Sequence, residues 1–466
     1  MIKHKTFLGI LLGLGIFQQV AAENKAVEPA HARTAKLKEW EGLKYGMFIH
    51  YGMSTFTGRD IDPGDKPAST YAPSNLDVAQ WIRVAREAGM KYAILTAKHV
   101  PGYCLWDSKD YDYDVAQGTD KTDVVAEFMK QCKRAGIKPG LYYCVLDGHN
   151  EGGVKWKAAV GEKYLKLIKH HLTELHTRYP GIYEQWIDIP SKLSPAQRRQ
   201  VYQLIKRLNP QCIVIMNQGF RDAVTVPMNA WPTDLLNGER TLPPKAGHNP
   251  VKTVKGQKYY LPMEVCDTIG STWHWIPGDY CRSTHSLYGL YKNCRERGAN
   301  LLLNVSPDRS GRIPAEYIKA LKEFKKVIDN PSLLPPHASL TFMRPIKVSN
   351  VLQGKPSWMG DRAVDDNPRT CWATNSDLHQ VWLEVDLGKP RIFDHALISE
   401  KWDRVRKFEL QSRLGDRWTT FARGAKIGSE LELKFKPITA RHIRLHITEA
   451  VEGPAIREFH LFAPKN

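Results

Sequence analysis

Between residues 40 and 330, short apolar runs alternate with amphipathic stretches, and no other feature constrains the fold of this chain as tightly. Runs at 45–50, 92–96, 138–143, 182–188, 212–217, 259–264 and 300–304 have the length and apolar content of buried strands. Helical patterns at 78–88, 121–135, 163–178 and 194–209 lie between them. Strand–helix alternation over a segment of this size predicts a parallel α/β fold, a (β/α)8-type TIM-like barrel over 35–330. An open doubly wound sheet is the competing architecture, but no GxGxxG turn follows the first strand. His50, the Lys98-His99 pair, Asp188, Asn217, Glu264 and Asn304 close these runs. Barrel strands end at one mouth, where catalytic groups gather, so six polar ends in register point to a single site.

A proline-rich linker at 331–340 breaks the alternation. From 341 to 466 the texture changes to short alternating strands, at 381–387, 407–412, 430–435 and 442–448. That spacing predicts an antiparallel β-sandwich. At the other end, Met1 to Lys5 is basic, Phe7 to Val20 is apolar, and Ala21-Ala22 precedes Glu23. This is the three-part pattern of a signal peptide over 1–22, with export to the periplasm or medium after cleavage. The apolar run is too short for a spanning helix, and no later stretch has the length to cross a bilayer.

The net charge of +18 raises the question of nucleic acid. Lys and Arg are spread along helical stretches without a compact basic arm or a nucleic-acid motif, so a solvated basic surface is the reading. The eight cysteines show neither CxxC pairing nor zinc spacing and sit mostly in apolar runs, the usual setting of buried free thiols.

A barrel mouth rich in His, Trp and carboxylates suits carbohydrate chemistry: aromatic faces stack on sugar rings, and His and Asn satisfy hydroxyls. Glycosidic cleavage needs two carboxyls flanking the anomeric carbon. Asp188 ends the apolar run Tyr183-Glu184-Gln185-Trp186-Ile187-Asp188; the bland alternative is a cap for the next helix. For the partner, the chain offers Glu239, in Leu236-Asn237-Gly238-Glu239-Arg240, read as a loop, and Glu264, read as a strand end before Trp273-His274-Trp275. Chemistry alone leaves both open. A metal-dependent esterase would need a His/Asp ligand cluster, which His50 and His99 do not supply.

The segments Tyr45-Gly46-Met47-Phe48-Ile49-His50-Tyr51-Gly52 and Leu95-Thr96-Ala97-Lys98-His99-Val100-Pro101-Gly102-Tyr103-Cys104-Leu105-Trp106-Asp107-Ser108 resemble paired fingerprints of glycoside hydrolase family 29, the α-L-fucosidases. The likeness continues through Trp186-Ile187-Asp188, Met263-Glu264-Val265-Cys266-Asp267-Thr268-Ile269 and Asn300-Leu301-Leu302-Leu303-Asn304. It implies a retaining exo-hydrolase of terminal α-L-fucose acting on fucosylated glycans, with no cofactor for catalysis. It implies Asp188 as nucleophile and Glu239 as acid/base, Glu264 holding the sugar or orienting the site, and His50, His99, Tyr142, Trp186 and Asn217 as sugar-contacting groups. The chain departs from the family at Val100-Pro101-Gly102, where a second His and Asp–Gly are usual. It departs again after Asn217, and in 57–66, which lacks the usual Glu–Trp. These departures admit a related sugar such as α-L-galactose, or a sugar-binding protein that has lost the reaction.

The C-terminal stretch Ala363-Val364-Asp365-Asp366-Asn367-Pro368-Arg369-Thr370-Cys371-Trp372 and Trp382-Leu383-Glu384-Val385-Asp386-Leu387-Gly388 resemble the discoidin-like modules, which include carbohydrate-binding module family 32. The resemblance implies a jelly-roll sandwich and a structural calcium on Asp365, Thr370 and Glu458 with backbone carbonyls, against a turn without an ion. Trp358 and Trp402, outside the core pattern, are candidates for stacking on sugars.

Overall fold

The computed structural model describes residues 27–109, 111–151, 153–217 and 225–464. The leader read at 1–22 lies outside them. In chain order the first strands are β1 (Tyr45–Ile49), β2 (Tyr92–Lys98), β3 (Lys138–Cys144), β4 (Glu184–Asp188), β5 (Ile213–Asn217) and β6 (Leu236–Glu239). A two-stranded ribbon, β7 (Val251–Val254) with β8 (Gln257–Tyr260), follows, and then come β9 (Met263–Thr268) and β10 (Ala299–Asn304). The eight strands other than the ribbon are parallel, in the order β5-β4-β3-β2-β1-β10-β9-β6.

Every barrel strand except the short β6 is buried on both faces for most of its length. Phe48, Ile94, Trp186, Ile215, Cys266 and Leu302 fill the barrel interior, while Met47, Leu95, Leu141, Ile187, Val265 and Leu303 pack outward with the surrounding helices. A Cβ on Gly46 would stand 2.5 Å from the Tyr92 ring, so only glycine lets that ring enter the interior. The helices begin where side-chain oxygens can cap them. Asp77, Asp123, Ser194 and Ser283 each accept a backbone N–H from the first turn, and Ser194 forms a full capping box with Gln197.

The circle is closed by ladders everywhere except between β5 and β6, where side chains and one backbone bond, Asp234 N–H to the Val214 carbonyl at 2.7 Å, make the joint. The Asp234 carboxylate accepts the Val214 N–H at 2.8 Å and the Tyr202 hydroxyl at 2.6 Å, with the Lys206 ammonium 2.6 Å away. Thr233 Oγ1 accepts the Met216 N–H, and Asn237 Nδ2 donates to Asn217 Oδ1 at 2.6 Å.

Two strand readings need correction. The run 259–264 is not one strand: Leu261-Pro262 separates the ribbon from β9, so Glu264 is the second residue of a barrel strand and not its end. The stretch 236–239, read as a loop, is barrel strand β6, paired in parallel with β9.

The sandwich comprises β11 (Ile346–Val348), β12 (Trp372–Ala373), β13 (Val381–Glu400), β14 (Val405–Leu414), β15 (Arg417–Gly424), β16 (Leu431–Ala450) and β17 (Ala455–Phe462), all antiparallel, in the order β12-β17-β13-β16-β14-β15 with β11 on β13. The runs read at 430–435 and 442–448 are parts of one strand: β16 pairs with β13 across irregular register, and the chain bends without breaking. Val385, Phe393, Phe408, Leu445 and Phe459 form the core between its layers. Sandwich and barrel meet through Tyr280, whose hydroxyl donates to Asn367, and Arg369, whose guanidinium donates to Thr268 Oγ1 and the Gly270 carbonyl. All eight cysteines are free, and seven are buried. Among the described residues no helix is long and apolar enough to cross a membrane.

Candidate active site

Strand register brings the functional groups together. Cys144, Asp188 and Asn217 are successive partners across β3, β4 and β5, so Asp188 and Asn217 stand side by side at one rim. Glu239, last residue of β6, faces them across the unladdered joint. Asn217 Nδ2 donates to Asp188 Oδ1 at 2.8 Å and to Glu239 Oε2 at 3.0 Å. One amide nitrogen serving two carboxylates holds those oxygens less than about 6 Å apart. The Tyr142 hydroxyl donates to the other Asp188 oxygen at 2.6 Å. The next short helix, Pro190–Lys192, is capped at Ile189 without a side chain, so Asp188 is not a helix cap.

Asp188 and Glu239 are surrounded by protein, with one edge toward the mouth. Burial raises the Asp188 carboxyl above its ordinary value, opposed by bonds from Tyr142 and Asn217. Burial and the neighbouring Asp188 charge push Glu239 up to about 7. Of two carboxyls on one amide, then, the one with two donors is readied to ionise and the one facing its charge keeps its proton.

Three histidines line the opposite side. Asn304 donates through Nδ2 to the Trp273 carbonyl at 2.7 Å, which leaves its Oδ1 to accept from His50 Nδ1 at 2.8 Å. Burial pushes His50 down to about 3, so the ring is neutral and its Nε2 presents a lone pair. His99 is held well below its ordinary value, first by burial and then by the histidines beside it, and its Nδ1 has no partner among the described residues. His274 packs 4.7 Å from His99 and 5.3 Å from His50 between ring centroids. Its Nδ1 lies 3.0 Å from Asp60 Oδ1, and its buried Nε2 is unpartnered among the described residues. Trp273 stacks on His50 at 5.0 Å, and Phe48 and Tyr142 complete an aromatic wall.

Of the groups read from sequence, the structure brings together Asp188, Glu239, His50, His99, Tyr142 and Asn217. Trp186 forms the floor: its Nε1–H donates downward to Glu184 at 2.9 Å and Glu264 at 3.1 Å, leaving only ring to face the mouth. For Glu264, read as holding the sugar or orienting the site, the geometry favours the second. It is fully buried one layer below, bonded to Tyr92 and Trp186 and crowded against Glu184. Burial and the Glu184 charge raise it well above the carboxylate range, while Glu184 itself is pushed up to about 7. Glu264 and Glu184 both accept from Trp186 Nε1–H and so fix the orientation of the floor. Sequence reasoning missed Asp60 and the roles of His274 and Asn237; only the aromatic cluster Trp273-His274-Trp275 signalled any of them.

Among the Asp365, Thr370 and Glu458 set in the sandwich, Thr370 Oγ1 donates to Asp365 at 2.8 Å and lies 3.2 and 3.0 Å from the carbonyls of Arg362 and Asn367. The Asn367 N–H donates to Glu458 Oε1, while Glu458 Oε2 is buried without a hydrogen bond, 3.5 Å from His460 Nε2. Burial pushes Asp365 up to about 7, and Asp365 helps raise Glu458 well above its usual value. Two acids, Glu458 buried and Asp365 half-buried, with a hydroxyl and two carbonyls, make a set of hard-oxygen donors of the kind calcium takes.

Residues 65–329 match the family model described as alpha-L-fucosidase, and residues 345–459 match the F5/8 type C domain. A protein of Arabidopsis thaliana named alpha-L-fucosidase 1 is 27% identical over 452 residues, 92% of this chain and 86% of its own length. Among solved structures, a mutant of a family 29 fucosidase of Ruminococcus gnavus, in complex with fucose, is 21% identical with a TM-score of 0.54, covering 95% of this chain and 96% of its own. An alpha-L-fucosidase of Lactobacillus casei is 24% identical with a TM-score of 0.52, covering 64% of this chain and 99% of its own. These two likenesses are of fold.

Proposed function

The chain belongs to the α-L-fucosidase family and carries an F5/8 type C domain, and from that premise we propose that it releases terminal α-L-fucose from glycans with retention, through Asp188 as nucleophile and Glu239 as acid/base. The observation that carries this reading is the single Asn217 amide spanning both carboxylates at 2.8 and 3.0 Å. The bound of about 6 Å that it sets supports the roughly 5–5.5 Å spacing of double displacement over the roughly 6.5–9.5 Å of an inverting site.

In the first step an Asp188 oxygen attacks the anomeric carbon as the glycosidic C–O bond breaks, and the departing oxygen takes the Glu239 proton. In the second, Glu239, now ionised, accepts a proton from water as that water attacks C1 and releases Asp188. Tyr142 and Asn217 hold Asp188 throughout. His50 Nε2, as a bare acceptor, takes a sugar hydroxyl, and Trp186 and Trp273 offer ring faces. His274, held by Asp60, stands among the histidines of a mouth in which Val100 packs into the interior. An imidazole from the β9 loop thus joins a site that lacks the family's second histidine after β2.

The test is hydrolysis of 4-nitrophenyl α-L-fucoside, with the first-formed anomer read by NMR and the α-L-galactoside run in parallel. Release of α-L-fucose that vanishes in Asp188→Asn supports the reading. First release of the β-anomer overturns retention. Turnover of the galactoside alone assigns the related sugar, to which the unpartnered His99 and His274 nitrogens offer bonds for an added hydroxyl. Sugar binding without turnover assigns a binding protein.

Two further proposals concern the molecule outside the mouth. Residues Asp365, Thr370 and Glu458, with the Arg362 and Asn367 carbonyls, hold a structural calcium that neutralises the paired acids. The chain is exported, on the strength of the leader pattern at 1–22.

A further inference from the structure

Beside the acid/base lies a groove of about 740 Å³ between barrel and sandwich. On the barrel side, Arg240 follows Glu239 directly, with its backbone in the left-handed region at φ 49° and its guanidinium 4.9 Å from the Trp273 ring centroid. The sandwich supplies Lys355, Arg362, Arg369 and Lys401, together with Trp358. Five basic side chains line the groove against one acid, Asp267. That acid is held by Arg282 at 2.7 Å and stands 4.0 Å from Arg240, while Arg362 reaches Asp365 behind the groove at 3.6 Å. Arg369 bonds only neutral acceptors, Thr268 Oγ1 and the Gly270 carbonyl. Burial and the like charge of Arg240 bring it down to about 10, against the pull of Asp267, which Arg369 shares with Arg282 and Arg240. Lys355 and Lys401 have no ion-pair partner among the described residues. Lys401 Nζ stands 4.8 Å from the Trp358 ring centroid and 5.0 Å from that of Trp402.

Arg369 and Arg362 hold the two domains together through Thr268, Gly270 and the Arg240 carbonyl, whereas among the described residues Lys355 and Lys401 make no such contact across the joint. Here five cations share one lining acid, Lys355 and Lys401 have no ion-pair partner among the described residues, and they stand beside an indole of the kind that stacks on pyranose rings. The groove begins at Arg240, the residue that follows Glu239, and Glu239 delivers its proton to the departing oxygen. We propose that this composite groove is the leaving-group subsite, and that it takes a glycan bearing an anionic substituent, a sulfate ester or a uronic carboxylate, held by the basic residues and stacked on Trp358. The proposal rests on the reading of Glu239 as acid/base.

The test uses the inert Asp188→Asn chain and three oligosaccharides of matched length: a sulfated fuco-oligosaccharide, its chemically desulfated form, and an oligogalacturonate. Titration calorimetry at low and high salt is expected to show at least about tenfold tighter binding of one anionic ligand than of the neutral one, weakening as salt rises. Which anionic ligand wins distinguishes sulfate from carboxylate. Adding Lys355→Gln and Lys401→Gln is expected to remove that preference while leaving the neutral ligand unchanged. Equal binding of all three, or a preference that survives the double substitution, overturns the proposal. Turnover of 4-nitrophenyl α-L-fucoside by the active chain is measured in parallel. Failure of the wild type on that substrate would count against the fucosidase reading, while the calorimetry would still decide the groove.

Discussion

At the scale of single residues, the site works by separating the proton affinities of two acids that share one amide. Glu239 is pushed up to about 7, so it is protonated below that pH and can give its proton to a leaving oxygen. The kcat/KM profile on an oligosaccharide is therefore expected to fall above about pH 7, and Glu239→Gln is expected to erase that alkaline limb along with most of the rate. The same shift has a stability sign. A glutamate near 4.5 when unfolded and near 7 when folded binds more protons in the folded state between those values, so stability falls as pH rises through that window. At pH 8, Glu239→Gln is expected to raise the melting temperature, by a free energy on the order of 1–2 kcal/mol because the carboxyl keeps an edge to water. A melting point unchanged or lowered at pH 8 would contradict the assigned strain. Asp188→Gly is expected to lose at least about a thousandfold in kcat and to regain activity with azide, forming the β-configured fucosyl azide. Rescue that yields the α-azide would count against direct attack by Asp188.

At the scale of elements, the joint between β5 and β6 sets the geometry of the reaction, because Asn217 lies on one side of it and Glu239 on the other. Asp234 is its main latch. Asp234→Ala strips the Val214 N–H, the Tyr202 hydroxyl and the Lys206 ammonium of a shared buried acceptor, and is expected to cost about 3–5 kcal/mol in denaturant unfolding. In whatever folded fraction remains, kcat should fall while proteolysis of exposed loops rises little; a variant of wild-type stability and rate would show that the latch is idle. These elements also mark how far the sequence could be read. The barrel was legible because its strands are apolar on both faces and end in polar residues. Strand β6 was not, since Leu236-Asn237-Gly238-Glu239 is too short and too polar to carry a strand pattern, and its pairing with β9 alone makes it one. Glu264 was misplaced because Tyr259 to Glu264 reads as one run, hiding the break at Leu261-Pro262. The Asp60–His274 contact spans 214 residues and leaves no local trace in either loop.

At the scale of the whole molecule, the sandwich is docked by the loop that also holds the proposed calcium. Arg362, Asn367 and Arg369 lie within the stretch that Asp365, Thr370 and Glu458 organise, and Arg369 reaches β9 at Thr268. Chelation by EDTA is expected to lower the melting temperature of the wild type by several degrees, with recovery on adding calcium. The Asp365→Asn and Glu458→Gln double variant is expected to respond to neither reagent. A wild type indifferent to both would remove the ion from the account.

The free thiols carry a consequence of a different kind. Eight cysteines, seven of them buried, give the native chain no crosslink to lose, and folding asks nothing of an oxidant. Their danger begins with the first full unfolding in an aerated medium, when eight thiols meet with 105 ways to pair completely. Every one of those pairings is foreign to the fold. Survival in such surroundings is thus governed by the rate of opening rather than by the depth of the energy well, and heat inactivation that reverses under reductant becomes permanent without it.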